Sequence, residues 1–191
     1  MALPLRLNDI DGELTLHVGD SRLSIFRGDI TTIQADAIVC PIDPGLDFRS
    51  GLANIVGQAA GPTIQNQRPE FPEPYGKIVV LPGGNLKVKY LFLAVLLGEK
   101  SVDKLKAHIR QSVERSIRYA EFLRLKSLAF PVLGCPKIAP PYLHIAHEMI
   151  EHVVQYMRCR NTKVKTLFFS IFNQNALEDF QTEAKKFGQS L

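Results

Sequence analysis

The stretch Phe26-Arg27-Gly28-Asp29-Ile30-Thr31-Thr32-Ile33-Gln34-Ala35-Asp36-Ala37-Ile38-Val39 decides how the rest of the chain is organised. It has two halves. Leu23, Ile25 and Phe26, followed by Gly28, read as a strand that stops at a tight turn. Ala35 to Val39 read as a second strand, with Ile38 and Val39 as buried β-formers. Between them stand Asp29, Thr31 and Thr32, whose side chains bond to nearby backbone and hold a turn in shape. A strand end that carries a carboxylate beside free backbone N–H groups can grip a purine edge. Asp29 would accept from an exocyclic amine while a backbone N–H serves a ring nitrogen.

Working outward, Leu14 to Val18 alternates and reads as a strand joined through Gly19 and Asp20 to the one at Leu23 to Phe26. After the loop Cys40 to Ser50, Leu52, Ile55, Val56 and Ala59 recur at helical spacing until Gly61-Pro62. Gln65 to Tyr75, with three prolines, reads as irregular surface. Ile78 to Leu81 is a strand, and the continuous apolar run Tyr90 to Leu97 predicts a fully buried central strand. A helical stripe of Leu105, Ile109, Val113, Ile117, Ala120 and Leu123 runs through Val102 to Leu123. Leu128 to Leu133 predicts a buried strand, Tyr142 to Met157 a helix, Val164 to Phe172 the last strand and Ala176 to Phe187 a closing helix. Strands alternating with helices give an α/β fold, three layers with a mixed central sheet and helices on both faces. The expectation is one domain over residues 1–191, with its core from about 14 to 187.

Composition narrows the classes. A hydrophobic content of 46% with 22% charged residues is ordinary globular composition, and no apolar run reaches the length of a membrane span. The first ten residues carry Arg6 and too short an apolar stretch for a secretory signal. Three cysteines without metal spacing (Cys40, Cys135, Cys159) fit a reducing compartment, so cytoplasm or nucleus is expected. A net charge of +4 allows an acidic partner but is too small to announce nucleic acid.

In sheets of this kind ligands sit beyond the carboxyl ends of the central strands, where three loops lie. The first leads into a helix at Gly51, and Ser50, Gly51 and Leu52 offer N–H groups to a pyrophosphate. The second is Leu133, Gly134, Cys135 and onward to Lys137. The third is Phe172 to Asn175, where an aromatic ring can pack on adenine or ribose beside Asn173.

Over Leu14 to Phe180 the motifs resemble those of macrodomains, which bind ADP-ribose, and they come in the family order. Gly28-Asp29-Ile30-Thr31 followed by Ala35-Asp36-Ala37-Ile38-Val39 is the opening signature, and Ala59-Ala60-Gly61 matches a helix end. Gly76 to Val80, Pro82 to Leu86 and Lys89-Tyr90-Leu91 look like segments of macrodomains embedded in ADP-ribosyltransferases, and Ala129 to Gly134 resembles the entry to the second phosphate loop. The resemblance implies ADP-ribose or an ADP-ribosylated protein as ligand and no cofactor. Asp43, the last residue of Cys40-Pro41-Ile42-Asp43 where the family has N-A-A-N, falls by ribose and phosphates.

The departures bear on activity. The hydrolytic members' asparagine becomes Asp43 and their following aspartate Ala53; a second subgroup's lysine falls near Leu96 or Leu97 and its aspartate on Ile138. Neither catalytic set is present, so a reader without hydrolase activity is expected. Phe48-Arg49-Ser50-Gly51 puts bulk where backbone should approach phosphate, and Pro136 has no N–H to donate. Arg49 and Lys137 are placed to compensate by meeting a phosphate. The alternative is a macrodomain that has lost its ligand and serves as a protein or RNA interaction module. For that reading, the segment Lys87 to Lys126 carries ten basic and four acidic residues, centred on the helix 102–123. An enzyme using Asp43 or Cys135 is the third class. His144, His147 and His152 with Glu148 and Glu151 miss the four-residue spacing of a metal helix and read as a solvated face with a His147–Glu151 pair.

Overall fold

The computed structural model describes residues 5–10, 12–49, 51–134, 141–159 and 162–189. Eight strands form one sheet: β1 Leu5–Ile10, β2 Glu13–Val18, β3 Ser21–Arg27, β4 Ala37–Ile42, β5 Ile78–Pro82, β6 Tyr90–Val95, β7 Ser127–Phe130 and β8 Thr166–Ile171. Their spatial order is β1-β2-β3-β8-β7-β4-β6-β5. The five strands β3, β8, β7, β4 and β6 run parallel, while β1, β2 and β5 extend the two edges by antiparallel pairing.

Alternation along the strands divides the core in two. Leu23 and Ile25 of β3 and Leu167 and Phe169 of β8 face one side, under α3 (Val102–Phe122), α4 (Tyr142–Arg158) and α5 (Gln174–Gln189). Ile38, Cys40 and Ile42 of β4 and Leu91, Leu93 and Val95 of β6 face the other, under α1 (Gly51–Ala60) and α2 (Thr63–Gln67). This is the three-layer mixed sheet that the alternation of elements predicts. Phe130, Phe169 and Phe180 are fully buried and pack edge to face, with centroids 6.0 and 5.4 Å apart, which locks β7, β8 and α5 together.

The differences from the sequence reading are local. β1 is an additional edge strand; its pattern is blurred because an edge strand buries little, and Leu7 is 37% exposed. β6 is buried on both faces but stands second from the edge, since helices cover both of its sides. The strand from Leu128 already ends at Phe130, and the turn of helix at Thr63–Gln67 intrudes on the supposedly irregular segment from Gln65. Cys40 is fully buried, and burial pushes its thiol up to about 12, so it is an inert packing group. No helix among the described residues is long and apolar enough to cross a membrane.

Candidate functional site

A cleft of about 450 Å³ opens where β3, β7 and β8 end, bounded by α1 on one side and the starts of α4 and α5 on the other. Its first wall is the turn after β3. The Gly28 N–H donates to Ile171 O at 3.3 Å, which ties the end of β3 to that of β8. A Cβ on Gly28 would come within 2.8 Å of the Phe26 ring and 3.1 Å of Ser170 Oγ, so a larger residue would have to displace that ring. Asp29 then caps a single 3₁₀ turn, Ile30–Thr32: its Oδ1 accepts from the Thr31 N–H at 2.9 Å and the Thr31 hydroxyl at 2.8 Å. The Thr32 hydroxyl donates back to Asp29 O at 3.0 Å. Asp29, Thr31 and Thr32 therefore hold the turn as their side-chain chemistry predicts. Asp29 Oδ2 makes no hydrogen bond among the described residues, and Asp29 lines the cleft.

The second wall is the start of α1, where Gly51, at φ +57°, Leu52 and Ile55 meet the cleft. α1 is held close to its own entry loop because Phe48 lies against Gly57; a Cβ there would approach the Phe48 ring to 2.8 Å. The third wall follows β8: Phe172 is 76% exposed with the Arg27 guanidinium 5.9 Å above its ring, and Asn173 Oδ1 accepts from the Ala176 N–H at 3.0 Å, capping α5.

Of the residues singled out from sequence, the fold thus brings Gly28, Asp29, Ile30, Gly51, Leu52, Gly134, Phe172 and Asn173 to one cleft. Ser50, Cys135 and Lys137, with Pro136 and Ile138, lie outside the described residues. Two of the singled-out side chains lie elsewhere. The Leu133 side chain is fully buried and packs in the core rather than in the cleft. Asp43 turns into its own loop, where Oδ1 accepts from the Asp47 N–H at 3.3 Å, and it borders a separate hollow with Arg49 and Arg68. Arg49 does not reach the cleft either: its guanidinium lies 2.6 Å from Asp47 and holds that carboxyl below the usual range.

Sequence reasoning missed Ile55, Pro131, Val132, Tyr142, Ser170 and Ala176, which complete the lining. Ser170 carried the one legible signal, a hydroxyl inside the apolar run Leu167–Ile171. On α4 the expected His147–Glu151 pair is present at 3.8 Å, and His147 Nδ1 also meets Glu183 at 2.7 Å. Glu148, Glu151 and His152 bring one ligand atom each within 4.8 Å of one another, but Glu148 faces Arg110 and His152 faces Glu114. That cluster knits helices together.

The macro domain family model matches residues 39–149, more than half of the chain. The chain belongs to the macrodomain family. A relative from Saccharolobus solfataricus, itself uncharacterised, is 32% identical over 165 residues, 78% of this chain and 91% of that protein. A protein of Enterobacter cloacae named O-acetyl-ADP-ribose deacetylase is 27% identical over 178 residues, 89% of this chain and 97% of its own. Among solved structures, the Oceanobacillus iheyensis macrodomain with ADP superposes with a TM-score of 0.86 at 18% identity, covering 94% of this chain and 98% of that one. The macrodomain fold accounts for the position of the cleft, beyond the carboxyl ends of its parallel strands.

Proposed function

We propose that this macrodomain binds ADP-ribose, free or attached to protein, and leaves it intact. One observation carries the reading: among the described residues lining the cleft, Asp29 is the single charged side chain, and it sits at the turn where a purine edge would lie. The adenine amine donates to Asp29 Oδ2, a backbone N–H after Gly28 serves a ring nitrogen, and Phe172 packs on the sugar or base. The pyrophosphate then lies over the start of α1 at Gly51 and Leu52. The O. iheyensis structure with ADP supports the ligand class.

The E. cloacae relative makes hydrolysis the competing reading. Against it stand the places of the groups that would be needed. Ala53 is buried at 2% exposure, Leu96 is fully buried, and Asp43 borders a separate hollow rather than the cleft. Without a positioned base or nucleophile, only binding and orientation remain. Isothermal titration with ADP-ribose is expected to give a saturable heat, and no heat at millimolar ligand would discard the reading. Incubation with a mono-ADP-ribosylated protein is expected to release no ADP-ribose, and release that Asp43→Ala abolishes would make it an enzyme.

A second reading, an interaction module working through α3, has one observation in its favour. Tyr119 and Phe122 are 40% and 81% exposed beside Arg118 at the outer edge of the sheet. Arg110 faces Glu148, and Arg115 donates to Gly76 O, so part of the helix's charge is used within the fold. An exposed aromatic edge of this kind suits a protein partner better than RNA.

A further inference from the structure

At the end of β3 away from the cleft, two arginines flank a histidine on an open face. Arg6 on β1 stands in register with His17 on β2, and His17 with Arg22 on β3. Neighbouring strands lie about 4.8 Å apart, so the two arginines stand about 10 Å apart with the histidine between them. Their neighbours Leu16, Val18 and Leu23 turn to the other side, where they are buried beneath helices. Among the described residues, α1 and α2, the helices of the open side, lie over β4 and β5 and leave β1 to β3 without a helical cover.

Arg6 and Arg22 are exposed and make no ion pair among the described residues. Asp20, the acidic residue of the neighbouring turn, is held by Lys165 at 2.7 Å. A hollow of about 420 Å³ lies on this row, lined by Arg6, Asn8, His17 and Gly19, with donors and no carboxylate. Further along the same face, Phe26 and Phe168 form a half-buried edge-to-face pair with centroids 6.2 Å apart.

We propose that this face binds single-stranded nucleic acid, with Arg6 and Arg22 on its phosphates. Arginine forks meet phosphate oxygens in pairs. A strand advances about 3.4 Å per phosphate in B-form geometry, so a row of this length meets two or three of them. The aromatic pair supplies the stacking surface that bases use and an acidic peptide does not. The two arginines stand at the opposite end of the sheet from the ADP-ribose cleft, and Phe26 borders that cleft at Gly28 without lining it.

The test is fluorescence anisotropy of the intact protein with labelled oligouridine and oligothymidine over a salt series starting at about 50 mM, where phosphate contacts are strong. The expected result is saturable binding whose logarithmic salt slope is about −1.4, from two contacts at about 0.7 each. Arg6→Gln with Arg22→Gln should weaken it at least about tenfold and flatten the slope by more than about 1. The doubly Lys-substituted protein, Arg6→Lys with Arg22→Lys, should keep most of the slope because the charges remain. Unfolding temperature should not drop in either, since both positions are exposed. Absence of binding at the lowest salt, or a double Gln variant that binds like wild type, overturns the proposal. So does loss on Arg118→Gln alone, or competition by polyglutamate as effective as by unlabelled oligonucleotide.

Discussion

The two ends of the parallel strands carry the same residue type and use it differently. At the carboxyl end of β3, Asp29 spends Oδ1 on Thr31 and keeps Oδ2 free of partners among the described residues. At the amino end of β4, Asp36 is filled. Its Oδ2 accepts from the Lys126 N–H at 2.7 Å and the Ser127 N–H at 3.1 Å, and its Oδ1 lies 2.7 Å from Lys89 Nζ. Its own N–H donates to Ser127 Oγ at 2.8 Å. These bonds fix the register in which β4 runs beside β7. A carboxylate with every oxygen engaged is a fastening; one with an oxygen left over, at the mouth of a cleft, is available to a ligand.

The largest effect should come from breaking the fastening. Asp36→Ala leaves two N–H groups and an ammonium without their acceptor, and each charge-assisted bond contributes about 1.5–3 kcal/mol. A stability loss of about 2–4 kcal/mol is expected in urea unfolding, with ADP-ribose affinity changed less than about twofold. An affinity loss as large as that of an Asp29 variant would erase the distinction between the two ends.

Acid sharpens the same comparison. Burial pushes the Asp36 carboxyl up more than any other single influence, but Lys89 and the two backbone N–H groups together outweigh it and hold the group below the ordinary carboxylate range. A lowered folded-state value stabilises fully above the unfolded value of about 3.9, and that contribution is lost as pH falls through the folded value. The deficit of Asp36→Asn relative to wild type should therefore be level from pH 7 to about 5 and shrink below about 4. A deficit that grows in acid would mean that the carboxylate is not what ties β4 to β7.

Both aspartates were legible in sequence as part of one motif, but their separate roles were not. Gly28 and Thr31 mark the turn around Asp29, because a strand that runs into glycine and a short hydroxyl side chain has few other ways to end. Asp36 precedes an apolar run and shows only a strand start; its partners at Lys126 and Ser127 are about ninety residues away, and no local pattern announces them. The same limit explains Asp43 and Arg49. Family position put both beside the ligand, while the local donor at Asp47 N and the local carboxylate of Asp47 captured them. Ile55 was missed for another reason. Helical periodicity counts apolar residues without saying what they face, and Ile55 is 52% exposed at the cleft rather than packed inward.

An intermediate effect is expected at the ligand end. Asp29→Asn keeps a side-chain oxygen that can cap the 3₁₀ turn, so stability should change by less than about 1 kcal/mol. Replacing the free carboxylate oxygen by an amide removes an acceptor for the adenine amine, and affinity should fall about tenfold by titration calorimetry. Asp29→Ala should add the capping loss of about 0.5–2 kcal/mol to that. Equal affinity in wild type and Asp29→Asn would mean that the purine does not meet this carboxylate.

The smallest effect belongs to Phe172, and it separates ligand contact from architecture most cleanly. Its ring is 76% exposed and touches the fold through Arg27, 5.9 Å from the ring centre, so it adds little to the core. Exposed cation–π pairs contribute about 0.5–1 kcal/mol, and Phe172→Ala should shift the unfolding temperature by no more than a few degrees. Stacking of a base on an aromatic ring is worth about 1–3 kcal/mol. If Phe172 packs only on the edge of the nucleotide, ADP-ribose affinity should fall near the lower bound, about fivefold, while Phe172→Tyr restores it. A Phe172→Ala protein that binds like wild type but unfolds earlier would place the ring in the scaffold after all, and the division between the filled end of the sheet and the receptive one would have to be redrawn at β8.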